Sequence, residues 1–121
     1  MSPRRAALIK VKRVYEAPSE GDGFRILVDR VWPRGLSKKA AAVDVWMWDI
    51  APSAELRKWF GHDPDKWKQF CVRYTKELDA RADKVALLKA RIRAHTVTLV
   101  YAAKDIAHNN AVALKQYLET H

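Results

Sequence analysis

Two stretches of this chain, Asp29 to Lys39 and Tyr101 to Asn110, follow one grammar: an apolar strand-forming run, then polar residues, then a turn into a helical stretch. The first collects Asp29, Arg30, Trp32, Arg34 and Lys38, and the second Tyr101, Lys104, Asn109 and Asn110. The chemistry these residue types favour is recognition of an anion. Guanidinium groups offer planar, paired donors to phosphate or carboxylate. A helix starting near Asn109 adds unpaired N–H groups and a partial positive charge. Asp29 either orients an arginine or acts as a base. Structural roles compete at several positions: Asp29 and Arg30 as an ion pair, Asn109 as a helix cap, Lys38 and Lys39 as solvated charges, Tyr101 as core. Arg34 sits in Pro33-Arg34-Gly35 with little to pack against, which favours a functional role. Trp32 and Trp59 flank the basic loops as candidate pocket walls, with Arg57, Lys58 and His62 extending the positive rim.

Other chemistries find little support. Cys71 lies within an apolar helical stripe and has no histidine three or four residues away, so it reads as a core thiol. His62, His95, His108 and His121 lack the paired spacing of a zinc or iron site, and no metal or cofactor is expected. There is no glycine-rich phosphate loop before a helix and no Gly-x-Ser-x-Gly elbow.

Convergence of the two polar segments depends on the elements that carry them. Residues 9 to 16, 24 to 32 and 96 to 102 are rich in β-branched and aromatic types and read as strands. Residues 43 to 50 fit a third strand in chain order or an apolar helical turn, and the pattern favours a strand. Ser37 caps a short turn through Ala42. Ser53 caps a helix over 54 to 60, Asp63-Pro64 opens another to about residue 81, and Asn109 or Asn110 caps the last. Trp67, Phe70, Cys71, Tyr74 and Leu78 form one buried helical stripe, repeated at Val85, Leu88 and Ile92 and again at Ala111, Leu114 and Leu118. The pattern predicts an α/β fold over residues 1 to 121 as a single domain, a small mixed, largely parallel sheet of about four strands flanked by helices. If the strands at 24 and 96 are parallel neighbours, their following loops meet where open α/β sheets bind ligands.

Composition bounds the partners. In 121 residues, 23 Lys and Arg exceed 14 Asp and Glu, giving a formal net charge of +9. That excess favours anionic partners without choosing among them, and the density of donors in the two loops selects a small phosphate- or carboxylate-bearing ligand, such as a nucleotide or phosphorylated metabolite, held at the C-terminal ends of two strands. The rival reading is a nucleic-acid-binding or regulatory accessory module that uses the basic surface. Arg4-Arg5 resembles a twin-arginine signal, but Lys10, Lys12 and Arg13 interrupt its apolar segment. With one cysteine and no apolar run of membrane-spanning length, a cytoplasmic location without membrane contact is expected. Neither oligomeric state nor catalysis follows from composition.

A longer pattern runs through Arg25-Ile26-Leu27-Val28-Asp29-Arg30-Val31-Trp32-Pro33-Arg34-Gly35-Leu36-Ser37-Lys38 and Ala51-Pro52-Ser53, then Glu55 to Pro64. It continues through Phe70, Arg73, Tyr74, Glu77 and Leu78 to Val97 to Asp105 and Asn109-Asn110-Ala111. Over nearly its whole length the chain resembles the YeaO-like family, a bacterial family of unassigned function. The resemblance implies an α/β fold within a broader grouping whose other members often carry a Cys-His-Arg run near the last helix. Here that region reads His108-Asn109-Asn110, so the resemblance supplies no thiol nucleophile.

Overall fold

The computed structural model describes residues 9–121, so the Arg4-Arg5 pair lies outside them. Four strands, β1 (Ile9–Arg13), β2 (Phe24–Leu27), β3 (Val45–Trp46) and β4 (Val97–Tyr101), form one sheet in the order β1-β4-β2-β3. All three pairings are parallel, so among the described residues the sheet has no antiparallel member. Val97 lies opposite Ile9 on one side and Phe24 on the other. Central β4 is buried at all five positions, as a strand covered on both faces must be, and this explains its nearly continuous apolar run.

Period-two alternation divides the strands between two clusters. Ile9, Ile26, Val28, Val97, Leu99 and Tyr101 pack with the main helices: α2 (Ala54–Phe60), α3 (Trp67–Asp79), α4 (Ala82–Ala94) and α5 (Asn110–Thr120). Val14, Leu27 and Val100 instead meet Ala41 of α1 (Lys38–Ala41). Ser37, Ser53 and Asn109 cap α1, α2 and α5 by accepting the N–H groups of Ala40, Leu56 and Val112. Asp63 accepts from Asp65 N–H and starts a 3₁₀ turn that leads into α3. The α3 stripe is as the spacing predicts, with Phe70, Tyr74 and Leu78 buried and Trp67 and Cys71 packed beside them.

The segment 43–50 divides. Only Val45 and Trp46 join the sheet, and Trp48–Ile50 turn as a 3₁₀ helix. Long-range donors hold the carbonyls of this turn: Tyr74 Oη donates to Ile50 at 2.6 Å, and Arg81 donates to Asp49 at 3.1 Å and Ala51 at 2.6 Å. A local periodicity cannot reveal acceptors captured from thirty residues away. Other guanidinium groups also bind main chain. Arg13, for example, clasps the carbonyls of Ala102 and Ala103 beyond the end of β4. Among the described residues, no helix is long and apolar enough to cross a membrane.

Below the sheet's second face lies a buried charged cluster that sequence reading passed over as loop. Asp22, 4% exposed, accepts from Arg25 at 2.8 Å and Lys12 at 3.1 Å, and from the Ser19 hydroxyl and N–H. Arg25 also donates to the Ala41 carbonyl, tying β2 to α1. Burial alone would raise the Asp22 carboxyl, but its donors outweigh burial and hold it well below the usual carboxylate range. Gly23 completes the turn at φ +64°, where a Cβ would stand 2.2 Å from the Thr96 carbonyl oxygen. Only glycine fits this approach.

Removing Asp22 would leave Arg25 buried without its ionic partner, which costs about 3–5 kcal/mol in comparable pairs. Asp22→Ala is expected to shift the urea midpoint down accordingly. An Asp whose folded pKa lies below its unfolded 3.8 contributes stability fully present above about pH 5 and lost as pH falls through the folded value. The variant's stability should therefore fall less steeply on acidification than that of the native chain.

Candidate functional site

Strands β2 and β4 are neighbours, yet the chain leaves them on opposite faces. After β2 it runs to α1, beneath the sheet, and after β4 it runs to α5 in the main helical layer. Adjacent strands that send their connections opposite ways leave a crevice at their carboxyl ends. A cavity of about 650 Å³ opens there. All four loops that follow strands contribute to it: Tyr15, residues 29–34, Ala51 and Pro52, and residues 102–105 with 108–110. Arg57 and Phe60 of α2, His62 and Phe70 complete the wall.

Asp29 fastens the two principal loops together. Its Oδ2 accepts the Ala102 N–H at 3.0 Å and its Oδ1 accepts from Asn110 Nδ2 at 3.0 Å. The same Asn110 amide donates to the Val28 carbonyl at 2.9 Å, and Trp46 Nε1 donates to the Asp29 carbonyl at 2.8 Å. β2 ends at Leu27 rather than near residue 32, and beyond it the Val28 N–H still donates to the Val100 carbonyl before the Asp29 side chain takes over the bridging to the loop after β4. Burial pushes the Asp29 carboxyl up, opposed by those hydrogen bonds and by the nearby charges of Arg57 and His62.

The second carboxylate on the wall is engaged as well. Asp105 Oδ1 accepts the N–H groups of Ala107 and His108, and Oδ2 lies 3.0 Å from His108 Nδ1. These hydrogen bonds hold its carboxyl below the ordinary value. The His108 ring also meets Trp67 edge-on at 5.3 Å. The cations differ. Arg30 donates to the carbonyls of Pro52 and Ala51 and so anchors the entry to α2. The side chains of Arg34, Arg57 and Lys104 have no hydrogen-bonded or ionic partner among the described residues. His62, at φ +58° directly after Gly61 at +55°, occupies a left-handed conformation uncommon for side chains with a Cβ and found often at ligand sites.

Seven of the nine residues singled out from the sequence line this cavity: Asp29, Arg30, Trp32, Arg34, Lys104, Asn109 and Asn110. Asn109 is 2% exposed and acts as the α5 cap, with its Nδ2 donating to the Asp105 carbonyl. Lys38 does not reach the cavity, because α1 carries it along the opposite face. Tyr101 is 2% exposed in the main core, on the same side of β4 as Val97 and Leu99. Of the rim candidates, Arg57 and His62 face the cavity and Lys58 does not. Trp59 lies away from it, between Arg73 at 4.0 Å and Lys66 at 5.1 Å from its ring centre. The Asp105–His108 pair was missed, while Phe70 is core as its stripe predicts and, with Phe60, backs the cavity wall. An Asp-x-x-His spacing was the available signal for the pair. Among the described residues, no group of three or more acidic, histidine or cysteine side chains could hold a metal ion.

A family model described as the inactive DUF488-N3 subclade matches residues 8–121. The chain belongs to this subclade. Uncharacterised proteins of Mycobacterium tuberculosis and Mycobacterium bovis are each 41% identical over 114 residues, covering 94% of this chain and 96% of theirs. The uncharacterised protein YeaO of Escherichia coli is 38% identical over 112 residues, covering 93% and 97%. The YeaO-like resemblance is therefore established across the subclade match, while no solved structure matches the chain.

Asp29 and Arg34 should separate joint from ligand contact. In Asp29→Asn an amide donor must face either Ala102 N–H or the Asn110 amide, at an expected cost of about 1–3 kcal/mol in urea denaturation. Arg34→Ala, which removes an exposed side chain without a partner, should stay within about 0.5 kcal/mol of the native chain.

Proposed function

We propose that the crevice at the carboxyl ends of β2 and β4 binds a small anionic ligand bearing phosphate or carboxylate, a nucleotide or phosphorylated metabolite in class. One asymmetry carries the reading. Asp29 and Asp105 direct their oxygens to protein donors, whereas Arg34, Arg57 and Lys104 on the same wall lack acceptors among the described residues. With four cations, Arg30, Arg34, Arg57 and Lys104, against the two carboxylates, the balance on the wall is positive, and low-dielectric walls concentrate its field. The start of α5 at Asn109 and Asn110 adds a partial positive charge to the same wall. The volume lies within the range of small-molecule pockets.

Binding rather than turnover fits the chain better. The subclade is described as inactive, and residues 108–110 offer no thiol. The bacterial sources of the relatives and a lone, partly buried Cys71 support a cytoplasmic bacterial protein.

Titration calorimetry with inorganic phosphate, pyrophosphate and a nucleoside 5′-monophosphate tests the reading. Arg34→Ala and Arg57→Ala should each weaken binding of at least one of these about tenfold or more, the weight of one charge-assisted hydrogen bond. Identical profiles for native and variant chains would remove the proposal.

A further inference from the structure

The wall of the same cavity narrows the class of ligand. Its cations are Arg30, Arg34, Arg57 and Lys104, while half-buried Trp32 and exposed Val31 supply apolar surface that a ligand can reach, backed by the buried Phe60, Phe70, Pro33 and Pro52. Trp32 is a fixed face: Nε1 donates to the Leu36 carbonyl at 2.8 Å, and the ring meets Trp46 edge-on at 5.4 Å. Phe60 and Phe70 stack at 4.4 Å and are held by the core, so that side is equally rigid. Beside Trp32, Val31 is 56% exposed and also lines the cavity, leaving a large apolar side chain in contact with water at a place otherwise built from buried rings.

A bare oxyanion does not use such a wall. At about 30 Å³ per water, the cavity holds the volume of about twenty waters, several times that of one phosphate group. A small anion at Arg34 and Arg57 would leave Val31 and Trp32 wet, and the cavity's apolar surface would contribute nothing. Placing a ring against that surface removes apolar area from water on both partners, and preset aromatic faces favour stacking with another π-system.

We infer that the ligand joins an anionic group to a flat aromatic ring system, with the ring against Trp32 and Val31 and the anion at Arg34, Arg57 and Lys104. This rests on the anion-binding reading and selects ring-bearing anions, such as nucleotides and aryl phosphates, over sugar phosphates and inorganic anions.

Calorimetry on the full chain should compare phenyl phosphate and a purine nucleoside 5′-monophosphate with inorganic phosphate and ribose 5-phosphate. The ring-bearing compounds should bind at least tenfold more tightly than their ringless counterparts. Trp32→Ala should erase that advantage while leaving ribose 5-phosphate affinity within about twofold. Because Trp32 also touches the second core cluster, Val31→Ser, at an exposed position, is a companion that preserves folding, and it should reduce the advantage severalfold. Equal affinity for all four compounds, weakened by Arg34→Ala, would overturn the aromatic inference and leave the anion reading standing. Binding of none of them, or no effect of Arg34→Ala, would overturn both.

Discussion

Everything in the crevice depends on how one carboxylate is shared. Asp29 stands where two parallel neighbours part company, and its two oxygens hold the loop after β4 and the first residue of α5. Without such a joint, two loops leaving on opposite faces would have unpaired backbone groups at the floor of a cavity, an arrangement folded proteins avoid. The joint is sited where burial works against ionisation. The donors that compensate are the ones that define the site's shape, so architecture and electrostatics are set by one group.

That choice determines what the cavity can offer a visitor. An aspartate committed to Ala102 and Asn110 is poorly placed to act as a free base, and Asp105 is committed to His108 and its own turn. What remains at the surface of the cavity is donor-rich and apolar. Residues 108–110 carry no thiol, which agrees with a subclade described as inactive. The nearest approach to catalytic geometry, His108 beside Asp105, is a pair in which the acid holds the imidazole in place.

Sequence made the elements legible where a local rule fixes them. Ser53, Asp63 and Asn109 are caps whose side chains accept from the residues that capping requires, and the α3 stripe follows helical period. The meeting of the two loops was readable because both follow the same strand-to-helix grammar and parallel sheets bind at that edge. Three things were not readable, each for a physical reason. Lys38 depends on which face α1 takes, which its own residues do not encode. Tyr101 shares parity with Val97 and Leu99, but β4 is apolar on both faces, so parity carried no contrast. The Lys12–Asp22–Arg25 cluster joins separate elements, and no periodicity announces a contact made only in three dimensions.

The habit of directing guanidinium and ammonium groups onto main-chain carbonyls has a consequence for the protein's encounters. Arg13, Arg25, Arg30 and Arg81 behave as internal staples, and Lys12 is bound to Ala17 and Asp22. A high isoelectric point here partly records scaffolding. Each stapled group keeps its charge, so the long-range pull on a passing polyanion is that of the full net charge, but a head group held on a carbonyl of its own chain is not free to pair with that polyanion directly.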